Sequence, residues 1–366
     1  MPARLNIGPE LTRRFPTGKR RELIIPALLS KRGARSLFPV RLKYLSLYWN
    51  AAAFCSTNCR MERIPYLGQT ILKWQVGSSS FLALPEMGAR LMNWNVTLGD
   101  GSVRDIVYWP EVENLDTIAT VRGGNPILFP FSGRSYDQGE IHHWRAADGV
   151  RRPMPIHGLA RQGKFRITRL DEGGFSAQFV PDEVAKAAYP YDYEFVVSYR
   201  FDPRGLFVEL QLTNLGNQPM PWSAGHHFYF TLPWSPGRSR QDYLFETTAT
   251  KQFQRDERGA LVPFNRATAR ESLANPNLVD LIHTGLRREV FAVTEVPTGN
   301  RLHFRSGMAN SPAHDLAVVT WTQDEKSPYY CIEPWMGPPN AAETKVGLHT
   351  VAPGQTQKFY VEITLG

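Results

Sequence analysis

A chain of 366 residues, 42% hydrophobic and 12% aromatic, can bury a substantial core as one large all-β domain or as two ordinary ones. Its formal charge of +8 is unevenly spread: residues 1–60 carry twelve Lys and Arg against Glu10 and Glu22, and the remainder sits at −2. A nearly neutral body excludes a nucleic-acid-binding main domain and confines any such role to the first 60 residues.

Those 60 residues are Arg-rich and poor in acids, as transit peptides are, without a clear cleavage signal. They are expected to be a disordered extension or an upstream start, with the working domain spanning residues 61–366. The longest apolar run, Tyr44 to Cys55, contains Asn50 and falls short of the roughly 18 to 20 residues that cross a bilayer, so no membrane partner is expected. Three cysteines, Cys55, Cys59 and Cys331, are too few for the disulfide framework of a secreted domain, which points to a reducing, cytoplasmic home.

From Met61 onward the pattern is strand, turn, strand, with little helical periodicity. SFLALPEMGARLMNWNV opens it. Two hairpins follow, FRITRLDEGGFSAQFV with a turn at Asp171 to Gly174, and YEFVVSYRFDPRGLFVELQLTN with DPRG as its turn. VFAVTEVPTGNRLHFR, LAVVTWT and KFYVEITL complete the strand-like runs. Glycines and prolines punctuate them at the short spacing of antiparallel sandwiches, so the expected fold class is all-β.

Two loops interrupt this alternation. VRGGNPILFPFSGR ends on Arg134, and PMPIHGLAR places His157 before a glycine. Gly- and Pro-rich loops of this kind often carry binding groups, although from the local sequence alone a surface arginine and a hydrogen-bonded loop histidine are the plainer reading. In GHHFYFTLP, extended backbone puts His226, Phe228 and Phe230 on one face and His227, Tyr229 and Thr231 on the other. The first set is core, and His227 is the candidate for an active cleft. The same parity turns adjacent histidines apart and prevents them from chelating one ion together; with no HExxH motif and no CxxC pair, no metal is expected.

In YYCIEPWMGPPNAA, parity sets Tyr329, Cys331, Glu333 and Trp335 opposite Tyr330, Ile332 and Pro334. A carboxylate in aromatic company is a partner for a buried arginine or a base tuned by its surroundings. Trp335 reads as core or as a platform for the apolar face of a sugar ring. Phosphate-binding, dinucleotide-binding and serine-hydrolase motifs are absent.

Taken together and in order, LPEMGARLMNWNV, GGNPILFPFSGR, IHGLAR, GHHFYFTLP, CIEPWMGPPNA and HTVAPGQTQKFYVEITL resemble the aldose 1-epimerase family, the galactose mutarotase-like proteins. The resemblance implies a β-supersandwich of antiparallel sheets with little helix. It implies Glu333 as general base and His227 as general acid, with Arg134, His157, Asp280 and Trp335 as sugar-binding residues. Gly133 stands where many relatives have Asn, and the Glu-Pro-Trp sequence is that of a branch containing hexose-phosphate epimerases. The expected partner is a small-molecule sugar or sugar phosphate, with no cofactor, acting on a monomer or homodimer.

The implied reaction interconverts the α and β anomers of an aldohexose, with an ionised Glu333 taking the C1 hydroxyl proton while a protonated His227 donates to the ring oxygen. One alternative is a hexose-6-phosphate 1-epimerase, for which Arg90, Arg134 and Arg161 are available to a phosphate. Another is a non-catalytic sugar-binding or sensing protein on the same fold.

Overall fold

The computed structural model describes residues 59–309 and 311–366. Cys55 and most of the expected leader lie outside the described residues. The first described strand, Cys59–Tyr66, starts two positions before Met61 and pairs in full register with Gln69–Val76.

Two large antiparallel sheets, of thirteen and nine strands, carry the architecture, with two short α-helices, Glu183–Ala188 and Ala341–Thr344. Among the described residues no helix is long and apolar enough to cross a membrane. The nine-stranded sheet contains both predicted hairpins, closed at Asp171 opposite Gly174 and at Asp202 opposite Gly205. In Tyr193–Asp202 the buried positions are Phe195, Val197, Tyr199 and Phe201, alternating with half-exposed neighbours. One face of that sheet is therefore dry and the other wet, the result that period-two patterning produces.

The thirteen-stranded sheet is different at its centre. Tyr329–Trp335 is buried along its whole length, flanked by Phe228–Thr231 on one side and Ala317–Trp321 on the other. Tyr330 and Ile332 join the main hydrophobic core. Cys331 and Trp335 point the other way into two smaller clusters, and Glu333 shares their face by strand parity.

The GHHFYFTLP segment is not one continuous strand. Gly225–His226 and Phe228–Thr231 are separate, and His227 lies in the gap between them. Its N–H leaves the ladder for the carbonyl of Pro126 at 3.2 Å and Oδ1 of Asn125 at 3.1 Å. Asn125, fully buried, also donates from Nδ2 to the Tyr199 hydroxyl at 2.7 Å and to Nδ1 of His226 at 3.0 Å. One amide thus fixes both histidines. His226 turns into the inter-sheet core, stacked between Phe228 and Phe359, and His227 turns out of it.

The loop that delivers Asn125 is itself held from inside. Arg90, fully buried, donates to the carbonyls of Ile118, Val121 and Gly123 at 2.6 to 3.2 Å, and burial pulls its guanidinium down to about 10. Gly124 follows with a φ of +68°, and a Cβ there would sit 2.1 Å from the Leu91 carbonyl oxygen, so only glycine lets the loop lie this close. The backbone N–H of Asn125 then donates to that same oxygen at 2.8 Å.

Two outcomes test these supports. Asn125→Ala strands Nδ1 of His226 and takes one of two partners from the His227 N–H, which keeps the Pro126 carbonyl, and at about 1–3 kcal/mol per orphaned buried group it is expected to lower the urea-unfolding free energy by on the order of 1–3 kcal/mol. His283 is fully buried between Thr320 and Gln252, and desolvation lowers its pKa to about 3. Because the unfolded chain takes up that proton near pH 6.5 and the folded chain does not, stability falls as pH drops from about 6.5 toward 3. His283→Gln is expected to remove on the order of 1–2 kcal/mol of the loss measured by urea unfolding between pH 7 and pH 5.

Candidate active site

Glu333 pairs in register with Val319, and its neighbour two positions back, Cys331, lies between Tyr229 and Trp321 on the flanking strands. From the break beside Phe228, His227 reaches the same face and sets Nε2 3.4 Å from Oε1 of Glu333. Both groups are secluded, at 2% exposure for Glu333 and 8% for His227. Burial pushes the Glu333 carboxyl well above the usual carboxylate range, the negative charge of Asp280 adds to the shift and Arg255 opposes it. Burial, helped by the positive charges of Arg161 and Arg90, pulls His227 down to about 3.

These directions change the expected protonation. The sequence reading has an ionised carboxylate facing an imidazolium, whereas burial raises the carboxyl and lowers the imidazole and so disfavours both charged forms. Oε2 of Glu333 and Nδ1 of His227 are buried with no hydrogen-bond partner among the described residues. Buried polar atoms of native proteins are satisfied by protein, ordered water or ligand.

The two predicted loops converge on this pair. His157, at a φ of +66°, donates its backbone N–H to the Gly133 carbonyl at 2.8 Å, and its Nδ1 accepts from the Gly133 N–H at 3.2 Å. That reciprocal lock puts the ring proton on Nε2. The imidazole stands edge-on to His227 at 5.2 Å and to Trp335 at 6.1 Å. Burial first, then the charges of His227, Arg161, Arg255 and Arg134, hold it well below its ordinary pKa. Arg134 follows Gly133 directly and is half-buried.

Gly133 itself has a physical reason to depart from Asn. Its φ is +74°, and a Cβ would lie 2.8 Å from Pro339 and 3.3 Å from the Trp335 ring. Trp335 is 3% exposed, packed on Leu128, Ile282, Ala317 and Val319, and its indole N–H donates to the His226 carbonyl at 3.2 Å and helps to oppose the rise of the Glu333 carboxyl. It is a wall of the site and not an open platform. Asp280, in left-handed backbone at a φ of +59°, forms an ion pair with Arg255 and acts on Glu333 through its charge.

Several residues at the site escape sequence reasoning. Asn125 sits inside the quoted GGNP run, yet nothing local signals that its side chain will hold two histidines. Trp321, half-buried, stands edge-on to His227 at 5.9 Å; parity across LAVVTWT could have found it only with the strand pairing known. Arg255 carries no local signal. Arg161, named above for a phosphate, has a buried Nε with no hydrogen-bond partner among the described residues. Arg90, counted above among the arginines open to a phosphate, is instead consumed by three backbone carbonyls. A cleft of about 740 Å³ lies at the far end of the central strand, lined by Tyr108, Arg122, Gln323 and Tyr329, and neither Glu333 nor His227 lines it.

Comparison with known proteins identifies the fold and the family. The fold is similar to a galactose mutarotase-like protein from Clostridium acetobutylicum, with a TM-score of 0.69 at 17% identity over 84% of this chain and 98% of that one. It is also similar to the Slr1438 protein of Synechocystis, with a TM-score of 0.67 at 22% identity over 83% and 98% of the two chains. In sequence, the plasmid-borne LacX protein of Lactococcus lactis is 25% identical over 266 residues, 66% of this chain and 85% of LacX. The aldose 1-epimerase family model matches residues 72–364, a span that contains every strand and loop contributing to the site. The chain belongs to the aldose 1-epimerase family.

Proposed function

We propose that the protein is an aldose 1-epimerase that interconverts the α and β anomers of an aldohexose, with Glu333 and His227 as its proton-transfer pair. The observation that carries this reading is the secluded 3.4 Å contact between Oε1 and Nε2, with Oε2 and Nδ1 left unpartnered.

Anomer exchange needs one group that can accept a proton and one that can give a proton, at the same moment. A pair holding a single shared proton supplies both. Moving that proton from carboxyl to imidazole leaves the net charge of the site unchanged, and the hydroxyls of a bound sugar offer the polar partners that the two orphaned atoms lack. The carboxylate then takes the proton of the C1 hydroxyl while the imidazolium gives its proton to the ring oxygen. The bond from C1 to the ring oxygen breaks, and an open-chain aldehyde forms. Rotation about C1–C2 presents the other carbonyl face, and the same transfers in reverse close the ring as the opposite anomer. In this reading His157, with its proton on Nε2, and Arg134 hold sugar hydroxyls, Trp321 packs against the ring, and Trp335 forms the wall of the site. No step calls for a cofactor.

A second reading, a hexose-6-phosphate 1-epimerase, has one specific observation in its favour. Arg134 and Arg161 both act electrostatically on His157, and neither has a hydrogen bond or ion pair among the described residues. Two unpaired guanidinium groups beside a buried site suit an anionic substituent on the sugar.

Anomer exchange measured by NMR on free and 6-phosphorylated hexoses tests both readings. Glu333→Gln and His227→Ala are each expected to slow exchange by about 10²- to 10⁴-fold with the fold intact by circular dichroism. Wild-type exchange in either variant refutes the pair, and sugar binding without exchange in the unaltered protein identifies a non-catalytic sugar-binding protein. Arg161→Ala is expected to lower kcat/KM by at least about tenfold for the phosphorylated hexose and little for the free one if the second reading holds.

A further inference from the structure

Glu333 and His227 have a third neighbour that the proposed proton transfers leave unused. Cys331, fully buried, presents its sulfur on the same face, and the His227 nitrogen, the Cys331 Sγ and a Glu333 carboxylate oxygen all lie within 4.8 Å of one another. In a tetrahedral zinc site, bonds of about 2.0–2.3 Å place ligand atoms roughly 3.3–3.8 Å apart. The His227 and Glu333 atoms already stand at such a spacing, 3.4 Å. The sulfur needs to close by no more than about 1–1.5 Å to reach it, within the range of side-chain rotation. Glu333 Oε2 is unpartnered and buried at this same point. No motif local in sequence unites these donors: Cys331 and Glu333 come from one strand, and His227 from the break beside the strand paired with it.

We propose that His227, Cys331 and Glu333 form an inhibitory binding site for a thiophilic divalent cation, with Zn²⁺ as the reference ion. Charge selects the ion class. The positive charges of Arg90, Arg161 and Arg255 act against a cation at this point, so one binds only if the donors themselves supply negative charge. A thiolate and a carboxylate together neutralise a divalent ion, and the sulfur favours soft or borderline metals over Mg²⁺ or Ca²⁺. Binding displaces one proton from the thiol and one from the carboxyl to solvent, with no change of oxidation state. Occupancy takes the carboxylate and the imidazole nitrogen that anomer exchange requires, so the ion and the sugar compete. The inhibitory half of this proposal rests on the proposed function, and the binding half does not.

Titrating the full-length, reduced protein with Co²⁺ as a spectroscopic probe separates the halves. A thiolate-to-cobalt charge-transfer band is expected to saturate at one ion per chain, to be displaced by Zn²⁺, and to vanish in Cys331→Ser and Cys331→Ala. A variant with Cys55 and Cys59 both replaced by serine should retain it. A band that persists in the Cys331 variants, or no band in the unaltered protein, overturns the site. In NMR anomer exchange, Zn²⁺ is expected to inhibit the unaltered protein, and the inhibitory concentration should rise at least tenfold in Cys331→Ala while metal-free exchange is retained. Binding without inhibition in an active protein overturns the competition. Absence of exchange in the unaltered, metal-free protein counts against the proposed function alone, since the cobalt titration still decides the site.

Discussion

The side-chain amide of Asn125 is the constraint on which the site depends. Two successive histidines on a regular strand would diverge to opposite faces, but a regular strand would also lock both N–H groups into its ladders. Here the His227 N–H bonds to Asn125 and Pro126 instead, while the other end of the same amide holds Nδ1 of His226. The divergence is kept and the ladder is interrupted at one residue. His226 becomes part of the stacked core with Phe228 and Phe359, and His227 is delivered to Glu333.

Supports of this kind are built from the inside outward. Arg90 spends its guanidinium on three carbonyls of the loop preceding Asn125, which is costly for a charge with no carboxylate partner and rational only if the loop must not move. Gly124 and Gly158 each sit where a Cβ would lie 2.1 Å from a carbonyl oxygen, so two loops are drawn against the sheet by glycine alone. His157 and Gly133 exchange hydrogen bonds and fix one imidazole at the edge of the other. Geometry of this rigidity is what proton transfer between fixed groups requires.

Electrostatics gives the site its second character. Removing Glu333 and His227 from water lowers the stability of carboxylate and imidazolium together, which raises the pKa of the carboxyl toward that of the imidazole and lowers the imidazole toward the carboxyl. Seclusion also explains why the donors of a soft-metal site and the proposed acid and base coincide. A neutral imidazole, a carboxyl and a thiol on neighbouring strand positions are the residue types that both chemistries use.

Much of the fold and part of the site were legible in the residues themselves. Period-two alternation in YEFVVSYRFDPRGLFVELQLTN gave that hairpin its bounds, because a strand with one dry face alternates, whereas in FRITRLDEGGFSAQFV the turn was legible but the register shift between Ile167 and Arg169 was not. Parity likewise separated His226 from His227 and Cys331 and Glu333 from Tyr330 and Ile332, since side-chain direction in extended chain is a local property. What only tertiary structure decided is which faces meet. The break at His227, the sequestration of Arg90 by carbonyls, the ion pair between Asp280 and Arg255, and the approach of Cys331 to the pair all depend on contacts between residues far apart in the chain, for which local spacing carries no signal. Protonation belonged to that second class as well, because a pKa is set by burial and by neighbours, and both exist only once the chain has folded.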